Sequence, residues 1–376
     1  MKTILLFSRD PGGANTVIPL VGALGARGYR VRLFGKDVAL DKYRQAGIEG
    51  IDIGPLLPGI TPEAVRVFLG KEAPDAIITG TSADDCCEKY LWLASEELGI
   101  PSMAILDQWV NYGIRFSEYG VAGISNYLED RQHPYLPARI IAMDDFARQE
   151  MIAEGLPAER VKVCGQPYFE TLRASAGRDA DGLELLSAKF GLSTRDFVVV
   201  FASEPIGLTY GENAYYWGYT ERTIFASLVK ALEQAAVETG SSLALIIRPH
   251  PKEDPAGLAD LAADYCRQVR WHVDTQSDPW MLINRADLVC GMSSMFLLES
   301  FIMGRETLSI QIGLCRDNPF VLDRRGILPS IVSEAELGER LSRALRGGEQ
   351  PTSDFEILSN PVQLIIAEME TLLCHN

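Results

Sequence analysis

The chain has 376 residues, of which 47% are hydrophobic and 23% charged, and its formal net charge is −16. That length exceeds one ordinary core and predicts two domains, while the acidity argues against nucleic acid or an anionic membrane surface as a partner. Seven cysteines (86, 87, 164, 266, 290, 315 and 374) lack metal-ligand spacing, which argues against a zinc centre and fits a reducing, cytoplasmic setting.

No segment reaches the roughly 18 apolar residues of a membrane span. The opening "MKTILLFSRD" carries too short an apolar run for a signal peptide and reads as a first strand. From there, short apolar runs alternate with helical patterns, the signature of parallel sheets with crossover helices. Strands are expected at 3–8, 30–35, 75–80, 102–107, 139–144 and 161–165, and helices at 15–27, 38–46, 84–98 and 145–154. Asn15 is expected to cap the first helix, and Gly22, Gly25 and Gly28 to give it a smooth stripe against the sheet.

The polar stretch 172–195 lacks strand signals and places the domain change: 1–172 as the N-terminal domain, 173–195 as linker, 196–353 as the C-terminal domain, and 354–376 as a final helical segment. In the second half, strands are expected at 197–202, 242–248, 268–273, 287–291, 306–311 and 327–332. Helices are expected at 219–239, 256–266, 279–285, 294–303, 333–346 and 354–373. The fold class is therefore α/β, two Rossmann-like doubly wound domains facing a cleft. Ligands of such sheets bind at the carboxyl ends of the strands, so the residues just after each strand carry the functional information. Residues 1–180 hold 19 Lys/Arg against 24 Asp/Glu and the remainder 16 against 27, so an anionic partner is less repelled by the first half.

After the first strand, "SRDPGGAN" puts Asp10 at the strand end. Gly12 and Gly13 allow close backbone approach, and Asn15 opens a helix whose N–H groups suit an anion or a sugar hydroxyl. "LDQWVNYGIRF" gathers Asp107, Trp109 and Arg115 in a polar-aromatic loop of the kind that stacks on sugars or bases. In the second half, "SLALIIRPHPKEDP" breaks a buried strand into Arg248 and His250, with prolines stiffening the turn. A histidine and an arginine at one strand end suit phosphate oxygens. "CGMSSMFLLESFIMG" ends a strand at Gly291 and opens a helix with Ser293 and Ser294, an anion cradle. Glu299 is the ionisable residue of that apolar helix. Its carboxylate suits a ribose diol, because burying it alone is costly. Ser203 and Glu204 follow the first strand of the second domain and face the same place. The aromatic run after them (Tyr210, Tyr215, Tyr216, Trp217, Tyr219) reads either as a lid or as packing. His250 and the two serines thus converge on one phosphate, with Glu299 on the ribose.

At these residues the chain resembles the GT-B glycosyltransferase superfamily, as an architecture over nearly its whole length. "RPHP" and "GMSS" resemble the His-Pro and Ser-Ser motifs of bacterial sialyltransferases, Kdo transferases and CDP-polyol phosphotransferases, in which they hold the nucleotide phosphate. "SSMFLLESFIMG" resembles the ribose-binding region of UDP-sugar transferases and of the non-hydrolysing UDP-GlcNAc 2-epimerases, with Glu299 in the ribose position. "VKVCGQPYFE" resembles the V-x-V-x-G-N-P-x-F-D segment ending the N-terminal domain of such proteins, with Gln166 for Asn and Glu170 for Asp. The acidic-acidic-glycine motif of sialyltransferases has no counterpart, since Asp84-Asp85 precede Cys86 and Asp144-Asp145 precede Phe146. The catalytic acids of the epimerases are not recognisable, and the basic surface of the polyol phosphotransferases is absent.

The resemblance implies a metal-independent glycosyltransferase without a cofactor, moving a sugar from a nucleotide-sugar donor to a glycan or other hydroxyl acceptor in surface glycan biosynthesis. Asp10 and Asp107 are the candidate bases. Arg248, His250, Ser293, Ser294, Glu299, Ser203 and Glu204 are the donor-side candidates, and Gly12, Gly13, Asn15, Trp109 and Arg115 the acceptor-side ones. The alternatives are an isomerase related to the UDP-sugar 2-epimerases and a CDP-polyol phosphotransferase. The oligomeric state is left open.

Overall fold

The computed structural model describes residues 1–175, 180–211, 216–348, 355 and 357–375. The chain divides into two compact units, Met1–Thr171 with Ile357–Asn376, and Leu172–Glu356.

The first unit is built on seven strands: β1 (Thr3–Ser8), β2 (Arg30–Gly35), β3 (Ile51–Asp52), β4 (Ala76–Thr79), β5 (Ser102–Ile105), β6 (Arg139–Ala142) and β7 (Val161–Val163). All pairs are parallel, in the order β3-β2-β1-β4-β5-β6-β7. Its helices are α1 (Pro11–Ala26), α2 (Val38–Gln45), α3 (Pro62–Glu72), α4 (Cys87–Leu98), α5 (Ile124–Asp130) and α6 (Asp145–Ala153), and α7 (Pro167–Ser175) carries the chain onward.

The second unit opens with α8 (Ala180–Lys189). Its strands are β8 (Asp196–Ala202), β9 (Ser242–Arg248), β10 (Arg270–Val273), β11 (Leu288–Gly291) and β12 (Thr307–Ser309). These too are parallel, in the order β10-β9-β8-β11-β12. Between and after them lie α9 (Ile206–Tyr210), α10 (Glu221–Thr239), α11 (Pro255–Tyr265), α12 (Pro279–Arg285), α13 (Met295–Ile302), α14 (Val321–Arg324) and α15 (Glu334–Leu345). The last helix, α16 (Pro361–His375), belongs to the first unit.

The strands read as apolar runs because helices cover both faces of a parallel sheet. Ile4, Leu5, Leu6 and Phe7 are fully buried, as are Val198, Val200 and Phe201 in the second sheet. Each such side chain contributes roughly 1.5–3 kcal/mol by leaving water. The α/β class and two Rossmann-like sheets expected from the sequence are what forms. In both sheets the strand order reverses beside the first strand, between β1 and β4 and between β8 and β11. Diverging connections there leave a crevice at the strand ends.

Several local expectations are corrected. The first helix begins at Pro11, with Asp10 in extended geometry as its N-cap, and Asn15 lies inside it. Proline at the first helical position loses nothing, since its missing N–H would have had no helical partner. Nothing lies within 4 Å of where a side chain on Gly22, Gly25 or Gly28 would begin, so no close-packed glycine stripe exists. The strand expected at 327–332 reduces to a single bridge between Ile310 and Ile331. Helices α3, α5, α7, α8, α9 and α14 and the short strand β3 were not expected.

Within the stretch read as linker, α8 is anchored in the second unit. Ser187 Oγ accepts from Arg285 Nε at 3.1 Å, and Lys189 Nζ lies 2.6 Å from Asp274 Oδ1. The C-terminal helix closes the core of the first unit, with Ile365, Ile366 and Met369 fully buried beside Leu20 and Leu24, and Glu368 paired to Arg139 at 2.7 Å. Among the described residues no helix is long and apolar enough to cross a membrane.

Candidate functional site

In the first unit the ends of β1, β4 and β5 bring together Asp10, the loop of residues 80–86, Glu88 and Asp107. Asp107 follows β5 and is pinned by Arg115, whose Nη1 lies 3.0 Å from Asp107 Oδ1. The same nitrogen donates to the Thr81 carbonyl at 2.9 Å and to Thr81 Oγ1 at 2.8 Å, while Nε donates to the Asn111 carbonyl. Arg115 is 3% exposed, so it is a buried brace that fixes one carboxylate, not a surface group offered to an acceptor. Burial raises the pKa of Asp107; the charge and hydrogen bond of Arg115 oppose this, and the charge of Asp10 adds to it.

Gly12 is required by this arrangement. A Cβ there would sit 1.7 Å from Asp107 Oδ2, so the glycine's openness is filled by a side chain of the same chain. Gly13 meets the backbone of Gly80, where a Cβ on Gly13 would lie 3.2 Å from the Gly80 Cα. Asp10 pairs with Arg9 at 2.9 Å and keeps about a third of its side chain (33%) exposed.

Glu88, on the first turn of α4, was not singled out from the sequence. Both of its carboxyl oxygens are buried with no hydrogen bond of good geometry among the described residues, the Arg9 backbone N–H being the donor that faces them, and Ser82 Oγ is likewise buried without a partner. Burial pushes the Glu88 pKa well up, and the charges of Asp10 and Asp85 push the same way; the Arg9 backbone N–H and the Arg115 charge oppose them. A neutral carboxylic acid is the form this environment favours, because an ionised one would lose its hydration with only the Arg9 N–H and the Arg115 charge to offset it. In the sequence, Glu88 sits between Cys87 and Lys89 in a helical pattern and reads as a solvated position. The fold buries it beside the Arg9 backbone and Asp10, residues distant in the chain.

Trp109, expected as a stacking platform for a ligand, is 2% exposed. Its Nε1 donates to Asp144 Oδ2 at 3.0 Å and its ring stacks on Phe169 at 5.6 Å. It is core packing under the loop.

In the second unit the ends of β8, β9 and β11 gather Ser203, Glu204, His250, Glu253, Ser293 and Ser294. The start of α13 has the form expected of an anion cradle, but a carboxylate of the chain lies in it. Glu204 accepts from the Ser293 backbone N–H at 2.6 Å and from Ser293 Oγ at 3.0 Å. Protein crowding around the carboxylate raises its pKa to about 7; the donors at Ser293 and the Ser294 backbone lower it in part, and the charge of Glu253 adds to the rise. Ser294 Oγ is buried and has no partner among the described residues.

His250 is held by its neighbours. Its backbone N–H donates to Glu253 Oε2 at 2.7 Å, and its Nδ1 accepts from the Lys252 N–H at 3.1 Å. That fixes the tautomer with hydrogen on Nε2. Burial, with a smaller push from Lys252, lowers its pKa to about 4, so at neutral pH it is an uncharged donor. Glu253 Oε1 also accepts from Ser203 Oγ at 2.7 Å. Arg248 turns to the next strand, with Nη1 3.0 Å from Asp274 Oδ2, while Lys189 takes the other oxygen of that buried carboxylate. This arginine, expected beside His250 as a phosphate ligand, is therefore engaged in an ion pair. Neither Glu253 nor Asp274 was singled out from the sequence; each reads there as one of many acidic residues in turns.

Glu299 lies on the buried side of α13, 9% exposed, with Ser300 beside it at zero. Of the aromatic run after β8, Trp217 and Tyr219 join the core of the second unit, and Tyr210 stacks on Trp217 at 4.6 Å. Tyr215 lies outside the described residues. Here packing, not a lid, is what Trp217 and Tyr219 do.

No protein-family model matches this sequence, and no curated protein does. Solved structures do. The UDP-GlcNAc 2-epimerase of Neisseria meningitidis, bound to UDP-GlcNAc, aligns over 99% of this chain and 100% of its own with 14% identity and a TM-score of 0.65. The UDP-GlcNAc 2-epimerase of Methanocaldococcus jannaschii aligns over 98% and 99%, with 12% identity and a TM-score of 0.66. A glycosyltransferase of Rickettsia africae aligns over 100% and 99%, with 13% identity and a TM-score of 0.56. The likeness is one of fold: a GT-B-like pair of Rossmann-type domains spanning the full length of each of these chains.

Proposed function

We propose that this protein is an enzyme acting on a nucleotide sugar, and that its reaction is the isomerisation of a UDP-sugar at a carbon of the sugar ring. The observation that carries this reading is the carboxyl cluster of the first unit. Asp10 follows β1 and Asp107 follows β5, with β4 between them in the sheet, and Glu88 is buried close to Asp10. Inverting a carbon requires taking a proton from one face and returning one to the other, so it needs both a base and an acid. Neighbouring carboxyl groups, one holding a proton and one accepting it, supply that pair. Asp107 and Asp10 are the groups proposed to meet substrate, and Glu88 to hold a proton behind them. Sugar transfer needs one base and leaves the second acidic group unexplained. The full-length likeness to UDP-GlcNAc 2-epimerases, at higher TM-scores than to the Rickettsia glycosyltransferase, supports the same preference.

The second unit is proposed as the nucleotide side. His250 Nε2–H, the Ser294 hydroxyl and the N-terminus of α13 would serve the phosphates, and Glu299 the ribose. The reaction is proposed to need neither metal nor cofactor, since the proton leaves and returns on protein carboxyls.

The reading is tested by incubating the protein with UDP-GlcNAc alone in deuterated water and following the sugar by NMR. Deuterium entering one ring carbon, together with a second UDP-sugar, is the expected result, and Asp107→Asn should abolish both. A sugar that stays protonated, with UDP released only when a hydroxyl acceptor is added, would replace this reading by glycosyl transfer.

A further inference from the structure

Ser293 and Ser294, just after β11, would serve an anion well, and one already lies there. We infer that Glu204 is a built-in occupant of the cradle at the start of α13, standing where a phosphate of the ligand must sit, and that the ligand binds by displacing it. This deepens the nucleotide-side reading of the second unit and rests on it.

The geometry gives the reason. The Ser293 backbone N–H has a single hydrogen, and Glu204 takes it at 2.6 Å. The Ser293 hydroxyl has a single hydrogen as well, and Glu204 takes it at 3.0 Å. A phosphate oxygen needing those donors cannot have them while the carboxylate does. A helix N-terminus favours an anion of either kind, so the carboxylate is a fair stand-in for a phosphate oxygen. What it leaves unused is the Ser294 hydroxyl, which is buried without a partner in the same place. The Glu204 carboxylate answers Ser293 and the Ser294 backbone; a phosphate, with a third oxygen and a different shape, adds an acceptor for the Ser294 hydroxyl and for His250 Nε2–H.

The two anions also repel. Glu253 already holds Ser203 and the His250 backbone, so the pocket carries a second carboxylate close by. Glu204 keeps some exposed surface, which gives its side chain a route out to water. The connection after it is short, Pro205 leading at once into α9, so the movement required is that of a side chain.

The test is calorimetric titration of the full chain with inorganic pyrophosphate and with UDP at pH 7.5, for wild type, Glu204→Gln, Glu204→Ala and Ser293→Ala. Glu204→Gln keeps the volume and the acceptor, so it reports even where the alanine variant folds poorly. Pyrophosphate should bind the two Glu204 variants about tenfold more tightly than wild type, the equivalent of one charge-assisted contact no longer contested. Ser293→Ala should not tighten it. Unchanged or weaker pyrophosphate binding in both folded Glu204 variants overturns the inference and leaves Glu204 a structural cap; UDP binding all the proteins alike would do so while the nucleotide reading survives. Tighter pyrophosphate with UDP no better than pyrophosphate upholds the displacement and removes the nucleotide reading. Binding of neither ligand to any of the proteins removes both.

Discussion

Asp107 fills the space that a side chain on Gly12 would need: a Cβ there would lie 1.7 Å from Asp107 Oδ2 and 2.7 Å from its Cγ. The carboxylate is held there by Arg115 at 3.0 Å, so it is not a loose side chain that can step aside.

Gly12→Ala should therefore cost function more than its helical setting suggests. Alanine gains roughly 0.5–1 kcal/mol of helix propensity inside α1, while overpacking against a pinned group costs roughly 1–3 kcal/mol. The net expectation is a modest loss of stability by denaturant unfolding and a large loss of turnover. A variant as active as wild type would show that Asp107 is free to move.

Arg115→Met leaves Asp107 buried without its partner. Breaking one side of a buried ion pair costs roughly 3–5 kcal/mol. Adding Asp107→Asn should return part of that loss, because the unpaired charge is gone, and a double-mutant cycle measures the coupling. Arg115→Lys should not rescue, since a single ammonium cannot reach Thr81, Asn111 and Asp107 in the pattern of the guanidinium. Additive single and double variants would deny the brace.

Glu204 predicts a pH dependence of stability with a definite sign. Its folded pKa of about 7 lies above the ordinary 4.5, so the folded state holds the proton more tightly than the unfolded one. The contribution is complete below pH 4.5 and is lost as pH rises through 7. Relative to Glu204→Gln, which does not titrate, wild type should lose up to about 3 kcal/mol between pH 4.5 and 8. Unfolding curves of the two proteins that run parallel across that range would contradict it.

His250 moves the other way. Its folded pKa of about 4 lies below the ordinary 6.5, so its contribution to stability is present above 6.5 and lost as pH falls through 4. Nitrogen chemical shifts should report a neutral ring with hydrogen on Nε2 at pH 6, given that Nδ1 accepts from Lys252. A midpoint near 6.5 would mean that the ring is solvated and the turn looser than described.

Glu88→Gln replaces the carboxyl group by a neutral amide of the same shape. Because burial raises the Glu88 pKa, its contribution is lost as pH rises above the ordinary glutamate range. The variant should match wild type in acid and become the more stable protein as pH rises. If Glu88 is ionised in the folded protein, the substitution will show no such divergence.

The two sheets were legible because a buried parallel strand must be apolar along its length, and "TILLFS", "DFVVVFA" and "SLALIIR" are. The turns that follow them were legible for the same reason: polar, Gly- and Pro-rich residues cannot continue a central strand. So the positions of Asp10, Glu204, His250 and Ser293 at strand ends followed from the order of residues alone. What each side chain does there did not follow. Trp109 and Arg115 look like ligand contacts in the chain and are packing and a brace in the fold. Helix α3 is hidden in the sequence by its largely charged exposed face, and α8 by the polar stretch that leads into it.

The order of apolar and polar residues along the chain determined two parallel α/β sheets and which loops stand at their strand ends, since strand and helix periodicity are local properties. The tertiary structure decided that Glu88 is buried, that Arg248 answers Asp274, and that Glu204 fills the start of α13, because burial and pairing join residues distant in the chain. The partners Glu204–Ser293 are 89 positions apart, and no local pattern specifies which carboxylate reaches which donor.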